Sequence, residues 1–212
     1  MATKRKVRIL IGALSGDKPK LAARRASCRR TWFTGIGGKP GADCIFLMGD
    51  PRLREPELRG DELWLPCQDD YGGLPQKTRG FCRWALANVD FEYLFKCDDD
   101  TYVCLVRLLR VPAGLDYCGW NVQDRGFASG GGGYLLSRRA AQIVADRLTE
   151  RRGPEDLLVG QHLRRAGIPL VHDSRFYPFS RLSRAPQPTN AQITGHHHGS
   201  RRILRVHRVM AR

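Results

Sequence analysis

Apolar residues recur along this chain in short blocks that switch between a period of two and a period near 3.6, which predicts alternating strands and helices. Residues 6–13 read as a first strand and 20–33 as a helix. A strand over 42–48 follows, then a loop rich in Pro, Arg and Glu over 50–60 and a short strand near 63–65. A helix over 76–88 leads into the run Phe91-Glu92-Tyr93-Leu94-Phe95-Lys96-Cys97, where Phe91, Tyr93, Phe95 and Cys97 fall on one strand face. Beyond it the pattern predicts a short helix over 102–109, a strand over 115–120, a glycine-rich segment over 126–133, and helices over 137–150 and 154–165. After Pro186 periodicity is lost until 203–210. No internal repeat or linker divides the chain. Strands alternating with helices imply a largely parallel central sheet covered by helices, an α/β architecture.

The strand over 91–97 ends in three consecutive carboxylates, Asp98-Asp99-Asp100. Like charges at a strand end repel, and a bound divalent cation removes that conflict, because hard cations take carboxylate oxygens as ligands. The carboxyl ends of strands are also where ligands of α/β proteins bind. The alternative is a solvated acidic turn that caps the following helix through Asp100 or Thr101.

Length and composition narrow the class. At 212 residues with 42 % hydrophobic residues the chain is an ordinary globular domain with room for a core. No apolar stretch approaches the roughly 20 residues a membrane helix needs. The run at 7–14 turns polar at Ser15-Gly16-Asp17-Lys18, so it reads as a strand and not a signal peptide. A cytoplasmic location is therefore expected, or the Golgi lumen if the chain is a fragment of an anchored protein. The seven cysteines, with no Cys-x-x-Cys pair, read as buried thiols. A net charge of +15 suits any phosphate-bearing partner, but the arginines come as scattered doublets without an aromatic-interleaved stripe. A nucleic-acid partner is not expected.

Three further segments offer chemistry. Ser129-Gly-Gly-Gly-Gly133 allows close approach of backbone to a ligand, or is a flexible turn; it lacks the spacing of a phosphate-binding P-loop. Glu155 and Asp156 open a helix, where acids are favoured by the helix dipole, and either one facing a cleft can serve as a general base. His196-His197-His198 is either a loop feature or a metal ligand reaching back to the aspartates.

Taken together, the segments resemble the β-1,3-glycosyltransferase family of β-1,3-galactosyltransferases, β-1,3-N-acetylglucosaminyltransferases and Fringe proteins. Arg25-Ala-Ser-Cys-Arg29-Arg-Thr-Trp32 looks like the family's Arg-x-Ala-Ile-Arg-x-Thr-Trp helix, and Phe46-Leu-Met-Gly49 its Phe-Leu-x-Gly strand. Asp69-Asp-Tyr71-Gly-Gly-Leu74-Pro-Gln-Lys77-Thr78, then Trp84, looks like Asp-x-Tyr-x-Asn-Leu-Thr-x-Lys-Thr and its tryptophan. Lys96-Cys-Asp-Asp-Asp-Thr-Tyr-Val103 looks like Lys-x-Asp-Asp-Asp-x-Phe-Val, and Gly131-Gly-Gly-Tyr134 and Glu155-Asp156-Leu-Leu-Val-Gly160 complete the order, with a looser echo at Ile193-Thr-Gly-His196. The family asparagine is Gly73 here, and Arg125-Gly-Phe127 replaces its Tyr-Pro pair.

The resemblance implies a GT-A-type nucleotide-sugar-binding fold over 1–185, with a basic C-terminal segment, 186–212, contributing a metal-ligating histidine. It implies an inverting glycosyltransferase that moves a hexose or N-acetylhexosamine from a UDP-sugar donor to a glycan or glycoconjugate hydroxyl, in β-1,3 linkage. Mn²⁺ is the implied metal, with Mg²⁺ compatible with the same oxygen ligands. Asp100 is then the main metal ligand and His196 the second, with His197 as its alternate. Asp98, Asp99, Arg29, Lys77, Gly132 and Gly133 surround the donor, and Asp156 is the catalytic base. Rival classes fit less well. An aspartyl phosphatase needs Asp-x-Asp-x-Thr or Val, where this chain has Tyr102, and a glycoside hydrolase leaves the acidic triplet unexplained. A non-catalytic nucleotide-sugar-binding protein of the same fold and a basic nucleic-acid-binding protein are the remaining alternatives.

Overall fold

The computed structural model describes residues 4–38, 40–178, 191–196 and 200–210. The elements run β1 (Arg5–Leu14), α1 (Pro19–Arg29), β2 (Ala42–Gly49), β3 (Glu57–Arg59), β4 (Glu62–Leu65), α2 (Leu74–Asn88) and β5 (Val89–Asp98). They continue as β6 (Tyr102–Val103), α3 (Leu105–Leu108), β7 (Tyr117–Gly119), β8 (Tyr134–Ser137), α4 (Arg138–Arg147), α5 (Glu155–Arg165), β9 (Val171–His172), β10 (Phe176–Tyr177), β11 (Thr194–Gly195) and α6 (Ser200–Met210).

Eight strands form one sheet in the order β3-β4-β2-β1-β5-β8-β7-β9, and β10-β11-β6 form a small second sheet. The centre, β4-β2-β1-β5, is parallel, as expected for apolar strands joined through helices. Only β3 and β8 enter antiparallel to their neighbours, and β9 pairs parallel with β7. Both faces are covered. On β1, Leu10 and Leu14 face a core with Phe81 of α2, Val144 of α4 and Leu163 of α5. Ile9, Ile11 and Ala13 face the other core, with Cys28 of α1, Leu108 of α3 and Ile203 of α6. The α/β class expected from periodicity is what forms. Among the described residues, no helix is long and apolar enough to cross a membrane. All seven cysteines are buried and unpaired.

The structure corrects several local expectations. Residues 102–109 are not one helix: Tyr102–Val103 forms β6 against Thr194–Gly195, and the helix begins only at Leu105. The β-favouring Tyr-Val pair finds a partner strand remote in sequence, which outweighs local helical spacing. That helix starts at Cys104 with no side-chain cap, so neither Asp100 nor Thr101 caps it. The first helix ends at Arg29, not near 33, because Trp32 and Phe33 turn into the core, where Phe33 stacks on Phe46 at 3.9 Å. Phe91 does not share a face with Tyr93, Phe95 and Cys97. The β1–β5 ladder passes from Val7–Phe91 to Ile9–Tyr93 without an Arg8–Glu92 pair, and Phe91 packs with Leu94 beneath Arg138. Tyr134–Ser137 is a strand that periodicity did not suggest. It precedes α4, which Ser137 caps by accepting from the Ala140 N–H at 3.1 Å.

Candidate active site

The site is assembled at the carboxyl edge of the parallel strands. The register Leu14↔Asp98 places Ser15, just past β1, beside the turn that follows β5. There the Asp99 N–H donates to Leu14 O at 3.0 Å and Ser15 Oγ donates to Asp99 Oδ2 at 2.8 Å. Arg24 reaches across from α1 as a fork, Nη1 to Asp99 Oδ1 and Nη2 to Asp100 Oδ2, both at 3.1 Å. From the small sheet, β11 delivers His196, whose Nε2 lies 3.0 Å from Asp100 Oδ1 and 3.5 Å from Asp98 Oδ2. Asp98, Asp100 and His196 each offer a ligand atom, all within 4.8 Å of one another.

The residues on these three restrain them from outside. Asp98 gives its other oxygen to Lys96 Nζ at 3.3 Å, and Asp100 gives its other oxygen to Arg24. One oxygen of each carboxylate is thus left aimed at His196 Nε2. Two carboxylates, each with one oxygen engaged from outside, and an imidazole suit a divalent cation, so the donor set fits the metal that the triplet suggested. The three groups also steady one another's charge. Burial disfavours charge on Asp98, but Lys96 and His196 beside it win and hold its carboxyl well below the usual range. Burial likewise works against a charged His196, yet Asp100 and Asp98 raise it to about 9. Asp99, deeper and against Ser15, is pushed up by burial to about 6.

The glycine segment makes room for the histidine. A Cβ on Gly131 would lie 1.9 Å from His196 Cε1, and Thr101 Oγ1 donates to Gly131 O at 2.6 Å. Gly131→Ala is therefore expected to expel the His196 ring and weaken Mn²⁺ binding about tenfold or more while the fold persists; calorimetry with Mn²⁺ and circular dichroism check both parts. Gly130 and Gly131 line the cavity, whereas Gly132 packs against Pro178 and Gly133, at φ 87°, against Phe95.

The cavity holds about 670 Å³. Lys77 enters it from α2, fully buried, donating to Ser15 O at 2.6 Å and to Asp69 Oδ1 at 2.5 Å. Burial opposes the charge on Asp69, but Lys77 and the Asp17 N–H hold its carboxyl below the ordinary value. Asp156 lines the same cavity beside the glycine segment. Its Oδ2 accepts from the Gly130 N–H at 3.1 Å and its Oδ1 from the Leu157 N–H at 2.9 Å. Asp156 therefore satisfies a first-turn donor of α5 and faces the cavity as well, so both readings of this acid hold. Glu155 goes elsewhere. It is buried against Lys96 Nζ at 3.0 Å and Thr78 Oγ1 at 2.8 Å, with Tyr134 OH also donating to it.

Of the residues singled out from sequence, the structure brings together Asp98, Asp99, Asp100, His196, Lys77 and Asp156 around one cavity. It does not bring Arg29, which pairs on the outer surface with Asp61 at 2.6 Å and Glu62 at 2.9 Å. Arg24 lies five residues earlier, about 140° away around the helix, and occupies the site instead. Only the Arg24-Arg25 doublet hinted at it. The Lys96–Glu155 pair was also missed, because two buried charges remote in sequence leave no local pattern. His197 lies outside the described residues.

Two carboxylates and a histidine converge at the sheet edge, and a lysine, an arginine and a further carboxylate line the same cavity. Comparison with known proteins is specific. The family model described as Galactosyltransferase matches residues 23–113. Mouse β-1,3-galactosyltransferase 6 is 26 % identical over 82 % of this chain and 66 % of its own length. Two Arabidopsis thaliana hydroxyproline O-galactosyltransferases also match. GALT5 is 26 % identical over 82 % of this chain and 32 % of its own length. GALT2 is 30 % identical over 49 % of this chain and 16 % of its own length. The chain thus spans less than two thirds of these curated relatives. The apo-form glycosyltransferase GlyE of Streptococcus pneumoniae TIGR4 aligns with 81 % of this chain and 46 % of its own at a TM-score of 0.45 and 10 % identity. The chain is similar to galactosyltransferases, over residues 23–113 in the family model and over most of its own length in the mouse and Arabidopsis relatives.

Proposed function

We propose that this chain is an inverting, metal-dependent glycosyltransferase with a GT-A-type site. It moves a hexose or N-acetylhexosamine from a UDP-sugar to a hydroxyl of a glycan or glycoconjugate, in β-1,3 linkage. The observation that carries this reading is the convergence of Asp98, Asp100 and His196 on a cavity that Asp156 also lines. Asp100, Asp98 and His196 would hold Mn²⁺ or Mg²⁺, which when bound would supply positive charge to the departing diphosphate. Arg24, in place of Arg29, and Lys77 add fixed positive charge on that side. Asp156 takes the proton of the attacking acceptor hydroxyl on the face opposite the leaving group. Gly132 and Gly133 serve by setting the path of the loop that ends at β8. Seven buried, unpaired thiols support a reducing compartment such as the cytoplasm.

Titration calorimetry of UDP, with and without Mn²⁺, on the wild type and on Asp100→Ala tests the reading. Binding is expected to need the metal and to weaken at least about a hundredfold in Asp100→Ala, since a main ligand is lost. Absence of UDP binding with every divalent cation tried would remove the transferase reading.

A further inference from the structure

The cavity is also lined by Trp120 and Gln123, for which the donor chemistry has no use. Resting on the transfer reaction proposed above, we infer that these two residues form the acceptor subsite and that it takes a pyranose ring, not a peptide. The first argument is the order of elements along the sheet edge. Ser15 follows β1, the aspartates follow the neighbouring β5, the glycine segment leads into β8, and Trp120 follows β7. β5 and β7 both run antiparallel to β8, so they point the same way and Trp120 leaves its strand at the same carboxyl edge. Two strand spacings, about 9–10 Å, separate β7 from β5. Asp156, held on the Gly130 N–H, lies between. A general base must touch the hydroxyl it deprotonates, so the acceptor lies on the Asp156 side of the metal cluster, away from Ser15, Arg24 and Lys77.

The second argument is the chemistry of that side. The half-buried Trp120 ring stands nearly perpendicular to His172, at 5.3 Å and 76°, and to Tyr177, at 5.8 Å and 87°. His172 is itself fixed, since β9 sets it beside Gly119 and its Nδ1 accepts from the Asn121 N–H at 3.0 Å. A rigid indole loses little entropy on binding and offers a flat apolar surface, which matches the C–H face of a pyranose. Gln123 adds the polar half. It sits at φ 47°, followed by Asp124 at φ 55°, a left-handed pair that non-glycine residues rarely adopt. Strain of this kind concentrates where a side chain has to be aimed, and here it sets Gln123 into the cavity wall. Its amide both donates and accepts, as neighbouring sugar hydroxyls require.

Saturation-transfer NMR tests the subsite. The probes are methyl β-pyranosides of galactose, glucose, xylose and N-acetylglucosamine and a serine- and hydroxyproline-containing peptide, each with and without UDP and Mn²⁺. At least one pyranoside is expected to show saturation concentrated on the protons of one ring face. Trp120→Ala should weaken its Kd about tenfold or more. Gln123→Gly, whose backbone suits the turn, should keep or raise Tm and weaken the same pyranoside several-fold. UDP titration should be unchanged in both variants. Undiminished pyranoside binding in both variants, saturation of the peptide alone, or no pyranoside binding beside intact UDP binding would each overturn the subsite. If UDP fails to bind the wild type, the transfer reaction falls, and the subsite then stands or falls on whether pyranoside saturation depends on Trp120.

Discussion

Asp156→Asn lowers the transfer rate by about a hundredfold to ten-thousandfold, the range general-base catalysis supplies, while UDP affinity in the presence of Mn²⁺ stays close to that of the wild type. The substitution is nearly isosteric, so the two effects separate. Asp156 accepts from two backbone N–H groups with its two oxygens, and asparagine retains one acceptor oxygen. Loss of one such bond costs about 1 kcal/mol, a small change in Tm for a domain of this size. What asparagine cannot do is take a proton from the acceptor hydroxyl. Glu155 is no substitute, because it is buried against Lys96, Thr78 and Tyr134. Steady-state kinetics beside UDP calorimetry check this, and near-normal turnover would withdraw Asp156 as the base.

Lys96→Met is expected to be the most damaging change to stability. Lys96 Nζ is buried on the last residues of β5, 3.0 Å from Glu155 Oε2, 3.3 Å from Asp98 Oδ1 and 3.2 Å from Gly130 O. Burial alone would lower its pKa, but Glu155 and Asp98 hold it above the ordinary lysine value. Removing one partner of a buried pair strands the other, at a cost of about 3–5 kcal/mol. For a chain of this length that is a fall in Tm of roughly 6–20 °C. Lys96→Met combined with Glu155→Gln should recover most of the loss, since the glutamine still accepts from Thr78 and Tyr134 and carries no charge. Urea unfolding of the three variants measures it. Additive losses in the double variant would show that the pair itself carries little of the stability.

The candidate site divides between residues that were legible in the sequence and residues that were not. Asp98, Asp99 and Asp100 stood out because like charges at the end of an apolar run conflict with one another unless something else is present. Asp156 stood out as an acid opening a helix, and Lys77 only through resemblance to a family motif. Arg29 was misplaced and Arg24 overlooked because adjacent arginines look equivalent in a sequence. On α1 they are not. Arg25 and Arg29, four residues apart, share Glu62, while Arg24 turns toward the aspartates. The glycine segment was legible as a close-approach element, but which glycine mattered depended on the position of His196.

By itself the sequence determined what local physics controls. Alternating periodicities specified α/β layers, the apolar run specified a central strand, and the order of short motifs carried a resemblance to β-1,3-glycosyltransferases. Tertiary structure alone decided what depends on residues far apart in the chain meeting. It turned Tyr102–Val103 into a strand by supplying Thr194–Gly195, brought His196 onto Asp98 and Asp100, and paired Lys96 with Glu155. The reason is one of range. Helical and strand periodicities reach only a few residues along the chain, whereas a buried charge or a short strand is stabilised by a partner that any sequence separation can provide.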